Sequence, residues 1–194
     1  DGHCATDAET YPITTGGTFP SLTGMTGKNL LVITGTVTGS LALDFTLAGR
    51  SQPVTVVGKN AGVISGGGGL RAVHVSGGEV FIKDLTISNS GSVGILADKS
   101  NTLHLEKVTV QNNQGIGIQI DASHFDINNT TVAANGSLSA GIGFANLASV
   151  TTAPKSIAHT TVTGNGTGVL CNAAADAPVP APTSVLVYNN GGGG

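Results

Sequence analysis

Asp84, Lys107 and His159 are the reactive side chains whose spacing best suggests chemistry. Each lies two positions before a threonine, in copies of one recurring segment, and Asn129 occupies that position in the remaining copy. If the copies stack, Asp84 and Lys107 become neighbours that can hold a sugar carboxylate. The same two side chains can form an ordinary surface ion pair, which adds little stability. We favour the surface pair and keep the three residues as candidate catalytic groups.

Asp98 and Asp121 are the candidate metal ligands, because each ends a short apolar segment at an equivalent place. Two stacked carboxylates can share a Ca²⁺, whose preferred ligands are oxygens. A polar residue at a corner also accepts backbone hydrogen bonds without any ion, and we favour that interpretation. The five histidines lack the spacing of a zinc site, and the sequence contains no phosphate-binding Gly-Lys-Ser or Gly-Lys-Thr.

The elements that must position these groups are four copies of one short segment. Residues 83–91, 106–113, 128–136 and 158–166 align without a gap. Their central threonines are Thr86, Thr109, Thr131 and Thr161, and each copy reaches Ser or Asn four residues later, at Ser90, Asn113, Asn135 and Asn165. A repeat of this length, with alternating strands and no helical period, indicates a solenoid with one unit per turn. Upstream, alternation also predicts a strand over residues 41–47.

Alternation within the copies predicts which side chains face the core. The expected buried column is Ile87, Val110, Val132 and Val162, with Leu85, Val108, Thr130 and Thr160 beside it. A second strand per turn should place Ile95, Ile118, Ile142 and Val169 on another wall, and a third contains residues 103–105 and 125–127. The threonines should face outward. The corner asparagines should adopt the left-handed conformation and bond from turn to turn.

This pattern resembles the right-handed parallel β-helix family, which includes pectate lyases, polygalacturonases and many bacterial surface proteins. The resemblance covers residues 70–190 well and 29–69 loosely. It implies an all-β fold, a right-handed single-stranded parallel β-helix. We expect residues 1–28 to form a lead-in segment or cap and residues 29–194 to form the solenoid, truncated or continuing beyond Gly194. Residues 146–155 and 173–183 should be outward loops.

The resemblance also implies a choice between functions. Glycosidase members use three clustered aspartates with a Gly-His and an Arg-x-Lys, and lyase members use a basic residue with Ca²⁺. The aspartate cluster is absent from the sequence, and Asp84, Lys107 and His159 are the nearest lyase-like groups. We therefore interpret the chain as a secreted or cell-surface structural or adhesive domain that binds an extracellular glycan or protein or forms filaments. The alternative is a polysaccharide lyase or glycoside hydrolase acting in an outer groove.

Composition excludes several other partners. The net charge is −3, and only 8 lysines and arginines are present, none clustered, which argues against binding nucleic acid. No stretch of the sequence approaches the ~20 apolar residues of a membrane span.

The two cysteines, Cys4 and Cys171, raise the question of self-association. About five turns separate them, so at ~4.8 Å per turn their distance exceeds the ~7 Å that a disulfide allows. They can bond within one chain only if residues 1–28 run back along the helix. Otherwise Cys4 of one subunit can meet Cys171 of the next, head to tail, or Cys171 is a small buried thiol.

Overall fold

The computed structural model describes residues 10–25, 27–99, 101–147, 155–171 and 182–191. Over these ranges the chain forms short parallel strands: β1 (Thr10–Thr14), β2 (Leu30–Thr38), β3 (Leu41–Asp44), β4 (Val54–Ser65), β5 (Arg71–Ser76), β6 (Glu79–Lys83), β7 (Thr86–Ser88), β8 (Val93–Asp98), β9 (Thr102–Glu106), β10 (Thr109–Gln111), β11 (Ile118–Asp121), β12 (His124–Asn128), β13 (Thr131–Ala133), β14 (Ala140–Ala145), β15 (Lys155–Ala158), β16 (Thr161–Thr163), β17 (Thr167–Cys171) and β18 (Leu186–Tyr188). Two short helical elements lie among these strands, a 3-10 helix, Leu22–Met25, and a four-residue helix α1, Phe45–Ala48.

The strands stack into three walls, and each regular turn contributes one strand to each wall. The first wall holds β6, β9, β12 and β15, the second holds β7, β10, β13, β16 and β18, and the third holds β3, β5, β8, β11, β14 and β17. Strand β4 pairs with β6 near its start and with β7 at its end, so the first two walls belong to one 12-stranded sheet. The molecule is therefore a parallel β-solenoid of about 7 turns.

The predicted core columns are confirmed. Ile87, Val110, Val132 and Val162 are in register on successive turns and each is 0% exposed. Leu85, Val108, Thr130 and Thr160 are buried beside them, while the threonine column of the second wall is half-buried. On the third wall Ile95, Ile118, Ile142 and Val169 align, with Val169 only partly buried. The two-residue period of a strand accounts for this division.

A ladder of asparagine side chains lines the corner after the second wall. The side-chain nitrogen of Asn113 donates to Oδ1 of Asn135 at 2.8 Å, and the same bond repeats from Asn135 to Asn165 and from Asn165 to Asn190 at 3.0 Å. Because each Oδ1 also accepts from the backbone N–H of the preceding ladder residue, the buried amides are satisfied. The predicted turn-to-turn bonding is confirmed.

The predicted backbone conformation of the ladder asparagines is wrong. Positive φ belongs to the exposed residue just before each ladder position, namely Asn89, Asn112, Ala134, Gly164 and Asn189. The preceding residue makes the bend in solvent, and this frees the ladder residue to turn its amide inward. A non-glycine residue in this conformation carries a modest steric cost, which Asn tolerates best.

The strand predicted over residues 41–47 ends early, at Asp44, so that prediction is also wrong for its second half. The Asp44 carboxylate accepts from the backbone N–H of Leu47 at 2.8 Å, and Gly49 closes the turn with φ 61°. An N-cap aspartate and a left-handed glycine define a short helix at both ends, and these local bonds override the apolar alternation.

Arg50 links the segment that precedes β2 to the first turns of the solenoid. Its guanidinium donates to the carbonyl oxygens of Met25 and Lys28, at 3.2 and 2.7 Å, and to Oδ1 of Asn29. Burial lowers the pKa of Arg50, which nevertheless stays charged because guanidinium pKa values lie so high. The described part of residues 1–28 also contains β1, which pairs in parallel with β2.

Two sequence features lie partly outside the described residues. Most of the predicted loops 146–155 and 173–183 falls there, as does Cys4. Cys171 ends β17 and is exposed, so the interpretation of it as a buried thiol is wrong.

Within the described ranges, no helix has the length and apolar character needed to cross a membrane.

Candidate ligand-binding face

The outward side of the first wall carries three columns of mainly polar side chains, which we call the polar face. Because alternate residues of each strand point outward, the register brings their side chains together on neighbouring turns. The columns are Glu79, Thr102 and His124; Phe81, His104, Asp126 and Ser156; and Lys83, Glu106, Asn128 and Ala158.

His104 lies at the centre of the polar face, between two carboxylates. Its Nε2 is 3.0 Å from Oε1 of Glu79, and its Nδ1 is 4.0 Å from Oδ2 of Asp126. The imidazole also stacks on the Phe81 ring, with centroids 4.3 Å apart and planes 6° from parallel. These contacts on neighbouring turns hold the His104 ring in one orientation. The 4.0 Å separation is too long for a hydrogen bond, so Glu79 is the carboxylate that bonds directly to the ring.

Further polar pairs extend the polar face on either side of His104. Lys83 Nζ lies 3.2 Å from Oε2 of Glu106, and both side chains are about two-fifths exposed. The Ser156 hydroxyl donates to Oδ1 of Asp126. The face therefore presents carboxylates, an ammonium and a hydroxyl along successive turns, and the carboxylates outnumber the lysine.

Asp84, Lys107 and His159 lie beside this face, at the corner between the first and second walls. All are exposed, and each has a positive φ, of 51°, 54° and 48°. Backbone hydrogen bonds link the turns there, from Asp84 N to the Glu106 carbonyl and from Lys107 N to the Asn128 carbonyl. Asn129 occupies the turn between Lys107 and His159. The ion pair at this level joins Lys83 to Glu106, each one position earlier than the predicted residues.

Asp98 and Asp121 lie on adjoining turns of the third wall, and each carboxylate has a partner of its own. Asp98 Oδ2 is 3.0 Å from Nε2 of His74, and Asp121 Oδ1 accepts from the Asn146 amide at 2.6 Å. Across the described ranges no group of three or more His, Cys, Asp or Glu side chains is arranged to hold a metal ion.

Sequence reasoning missed Glu79, His104 and Asp126 as a group. The signal was present, because His104 and Asp126 are the polar centres of the short strands Leu103–Leu105 and Phe125–Ile127. Aligning those two strands gives half of the site. The other half depends on the register of β6, which precedes the regular repeats and is visible only in the structure.

A shallow cleft lies elsewhere, at the start of the solenoid, with a volume of about 270 Å³. The 3-10 helix and α1 border it through Leu22 and Leu47, and Phe19 lines it as well. Its one carboxylate, Asp44, already caps α1, so the cleft offers little chemistry.

The comparison with protein families gave a match over residues 56–190, to the family described as right handed beta helix region. That range covers more than half of the chain and includes the regular turns. The chain belongs to the right-handed β-helix family. The comparison with curated proteins and the comparison with solved structures each gave no match. In this β-helix, the polar face is the outer surface of the first wall.

Proposed function

We propose that this β-helix is a secreted or cell-surface structural or adhesive module that binds an extracellular glycan along the polar face. The observation that carries the proposal is the fixed group around His104, in which Glu79, Phe81 and Asp126 meet one imidazole. Carboxylates are strong acceptors for sugar hydroxyls, since hydrogen bonds to ionised groups are stronger than neutral ones. Side chains already held in place lose little entropy when a ligand binds.

The dimensions of the polar face suit an extended ligand. Its two longer columns cross four turns, which at ~4.8 Å per turn gives a length of roughly 14 Å. A polymer lying along the solenoid axis would meet a new set of polar groups at each turn.

The charges of the polar face suggest which glycans it prefers. Glu79, Glu106 and Asp126 supply three carboxylates, against one lysine, Lys83. Like charges repel, so a polyuronate should bind poorly, whereas a neutral or amine-bearing glycan should bind well.

A glycan array followed by titration calorimetry tests this proposal. We expect binding of neutral or amino-sugar polymers, weakened roughly tenfold or more by the double substitution Glu79→Gln and Asp126→Asn, because each bond to a charged group contributes about 1.5–3 kcal/mol. Gln119→Ala on the third wall is the matched control and should bind as the parent does. Unchanged binding by the double variant would refute the assignment of the face.

The second candidate function is polysaccharide cleavage, favoured by the contact between Nε2 of His104 and Glu79, which orients the imidazole. A histidine held by a carboxylate is suited to take up a proton, provided that a substrate reaches the free nitrogen. Depolymerisation assays on neutral and uronic polymers test whether the protein cleaves a polysaccharide. Cleavage abolished by His104→Ala would establish an enzyme centred on this residue, and cleavage abolished by Lys107→Ala would move the site to the adjacent corner.

A further inference from the structure

Contacts on both sides of His104 indicate which of its ring nitrogens carries the proton. Nε2 lies 3.0 Å from Oε1 of Glu79, and an ionised carboxylate can only accept a hydrogen bond, so Nε2 is the donor. In a neutral imidazole the other nitrogen, Nδ1, is then an acceptor. Nδ1 and Oδ2 of Asp126 are therefore two acceptors that lie 4.0 Å apart with no hydrogen between them. One proton taken up at Nδ1 turns this pair into a donor and an acceptor.

Asp126 is the carboxylate that such a proton engages. Its Oδ1 already accepts from the Ser156 hydroxyl on the next turn, so Oδ2 is the oxygen that can serve either a ligand or His104. The Asp126 side chain is 45% exposed, which gives it room to move and leaves it within reach of a ligand on the polar face. Hydrogen bonds between an imidazolium and a carboxylate are about 2.8 Å long, so the movement needed is only about 1 Å.

The other charged groups near the ring lie on the same strand and on its two neighbours. Glu106 follows His104 on β9, and Lys83 on β6 pairs with Glu106 at 3.2 Å, so these two charges offset each other. His124 on β12 is in register with Thr102 and therefore lies in the adjacent column. His124 is thus a second titratable ring on the polar face, and an experiment must separate its effect from that of His104.

We propose that His104 makes glycan binding by the polar face dependent on pH, an inference that rests on the proposed function. When the ring takes up a proton at Nδ1, it donates to Asp126 Oδ2, and this oxygen no longer accepts from the glycan. Histidine is the side chain whose charge ordinarily changes between about pH 5 and 8, so the face binds at the upper end of this range and releases at the lower end. The added positive charge also weakens attraction for amine-bearing glycans.

Nitrogen-15 NMR of the whole chain without ligand tests the proton uptake itself. Two-bond proton–nitrogen spectra distinguish the two neutral tautomers from the imidazolium, and the stacked Phe81 ring, at 4.3 Å, identifies the His104 signals through space. We expect a proton on Nε2 alone at about pH 8 and on both nitrogens at about pH 5. A proton on Nδ1 alone at the higher pH, or a neutral ring at the lower pH, would overturn the proposal.

Titration calorimetry with neutral hexasaccharides of glucose and of N-acetylglucosamine tests the effect on binding, because neither probe titrates in this range. We expect the parent to bind roughly tenfold more weakly at about pH 5 than at about pH 8, as for the loss of one hydrogen bond to a charged group. His104→Gln takes up no proton and should bind equally at both values. His124→Gln is the matched control and should keep the ratio of the parent.

The outcomes separate this inference from the proposed function. Equal binding by the parent at both pH values would refute the regulation and leave glycan binding in place. Absence of binding by the parent at both values would refute the regulation together with binding of these glycans, whatever the ring titration shows. A pH effect that persists in His104→Gln, or one that disappears in His124→Gln, would assign the regulation to His124 and overturn the role of His104.

Discussion

Gly117 leaves the space that the side-chain amide of Asn135 occupies on the next turn. A Cβ placed on Gly117 would lie 2.7 Å from Asn135 Nδ2 and 2.6 Å from the Gly141 carbonyl oxygen. The same relationship joins Gly94 to Asn113 and Gly141 to Asn165, at 2.7 and 2.8 Å. The glycines at or next to the start of β8, β11 and β14 are therefore required by the asparagine ladder beside them.

Gly117→Ala should destabilise the fold, because the Cβ meets backbone as well as side-chain atoms that cannot move aside. We expect a loss of about 1–3 kcal/mol, as for other overpacked sites. Urea denaturation measures it. Gly143→Ala is the control, since a Cβ there lies 3.6 Å from its nearest neighbours on Ile116 and should be tolerated. Equal stability of the two variants would contradict the claim that the asparagine ladder requires glycine at position 117.

Asn135→Ala should also lower stability, for a different reason. It leaves the buried backbone N–H of Asn113 without its acceptor and removes the amide donor to the carbonyl oxygen of Val110. Leaving such groups unsatisfied costs about 1–3 kcal/mol. Chemical denaturation followed by circular dichroism gives the value. Gln114→Ala, at a nearby exposed position, should change stability by no more than about 0.5 kcal/mol.

Val110→Asp should prevent folding, whereas Thr109→Asp should not. Val110 is 0% exposed in the central column, so a carboxylate there would be buried without a partner at a cost of several kcal/mol, comparable to the stability of a domain. Thr109 is its neighbour on the outward side. The melting curves of the two variants distinguish the faces, and a Val110→Asp protein that melts like the parent would reverse the inward assignment.

Arg50→Lys should destabilise the first turns almost as much as Arg50→Ala does. The planar guanidinium reaches Met25, Lys28 and Asn29 at once, and a lysine ammonium cannot reproduce that fork. Hydrogen bonds to a charged group contribute about 1.5–3 kcal/mol. Hydrogen exchange in residues 22–38 is the sensitive measurement, because the loosening should be confined to the first turns. Full protection in the lysine variant would mean that charge alone holds this segment.

The regular turns could be predicted from the sequence because one physical rule governs them. Alternation assigns Val110 inward and Thr109 outward in every copy, and a solenoid repeats that assignment at each turn. The bonding of Asn113 to Asn135 follows from the same spacing. Where the repeat is absent the prediction fails: residues 45–48 alternate like a strand, yet the Asp44 cap makes them helical.

The polar groups around His104 could not be predicted in the same way. A single strand indicates that His104 faces outward, but its contact with Glu79 requires the register between β9 and β6. The backbone conformation of the corner asparagines could not be predicted from one turn alone either. Whether Asn112 or Asn113 takes the left-handed conformation depends on which side chain can be buried against the next turn, and adjacent asparagines look alike in the sequence.

The asparagine ladder has a direction, and this makes the solenoid extendable. From Asn135 onward, each ladder Oδ1 accepts from both the backbone N–H and the side-chain amide of the turn before, so all these N–H bonds point toward the C-terminal end. The aligned amide dipoles add along the axis and polarise one another. A duplicated turn that carries asparagine at this place accepts two hydrogen bonds and offers two in return. Gene duplication can therefore lengthen the array without leaving an unsatisfied group at the new joint.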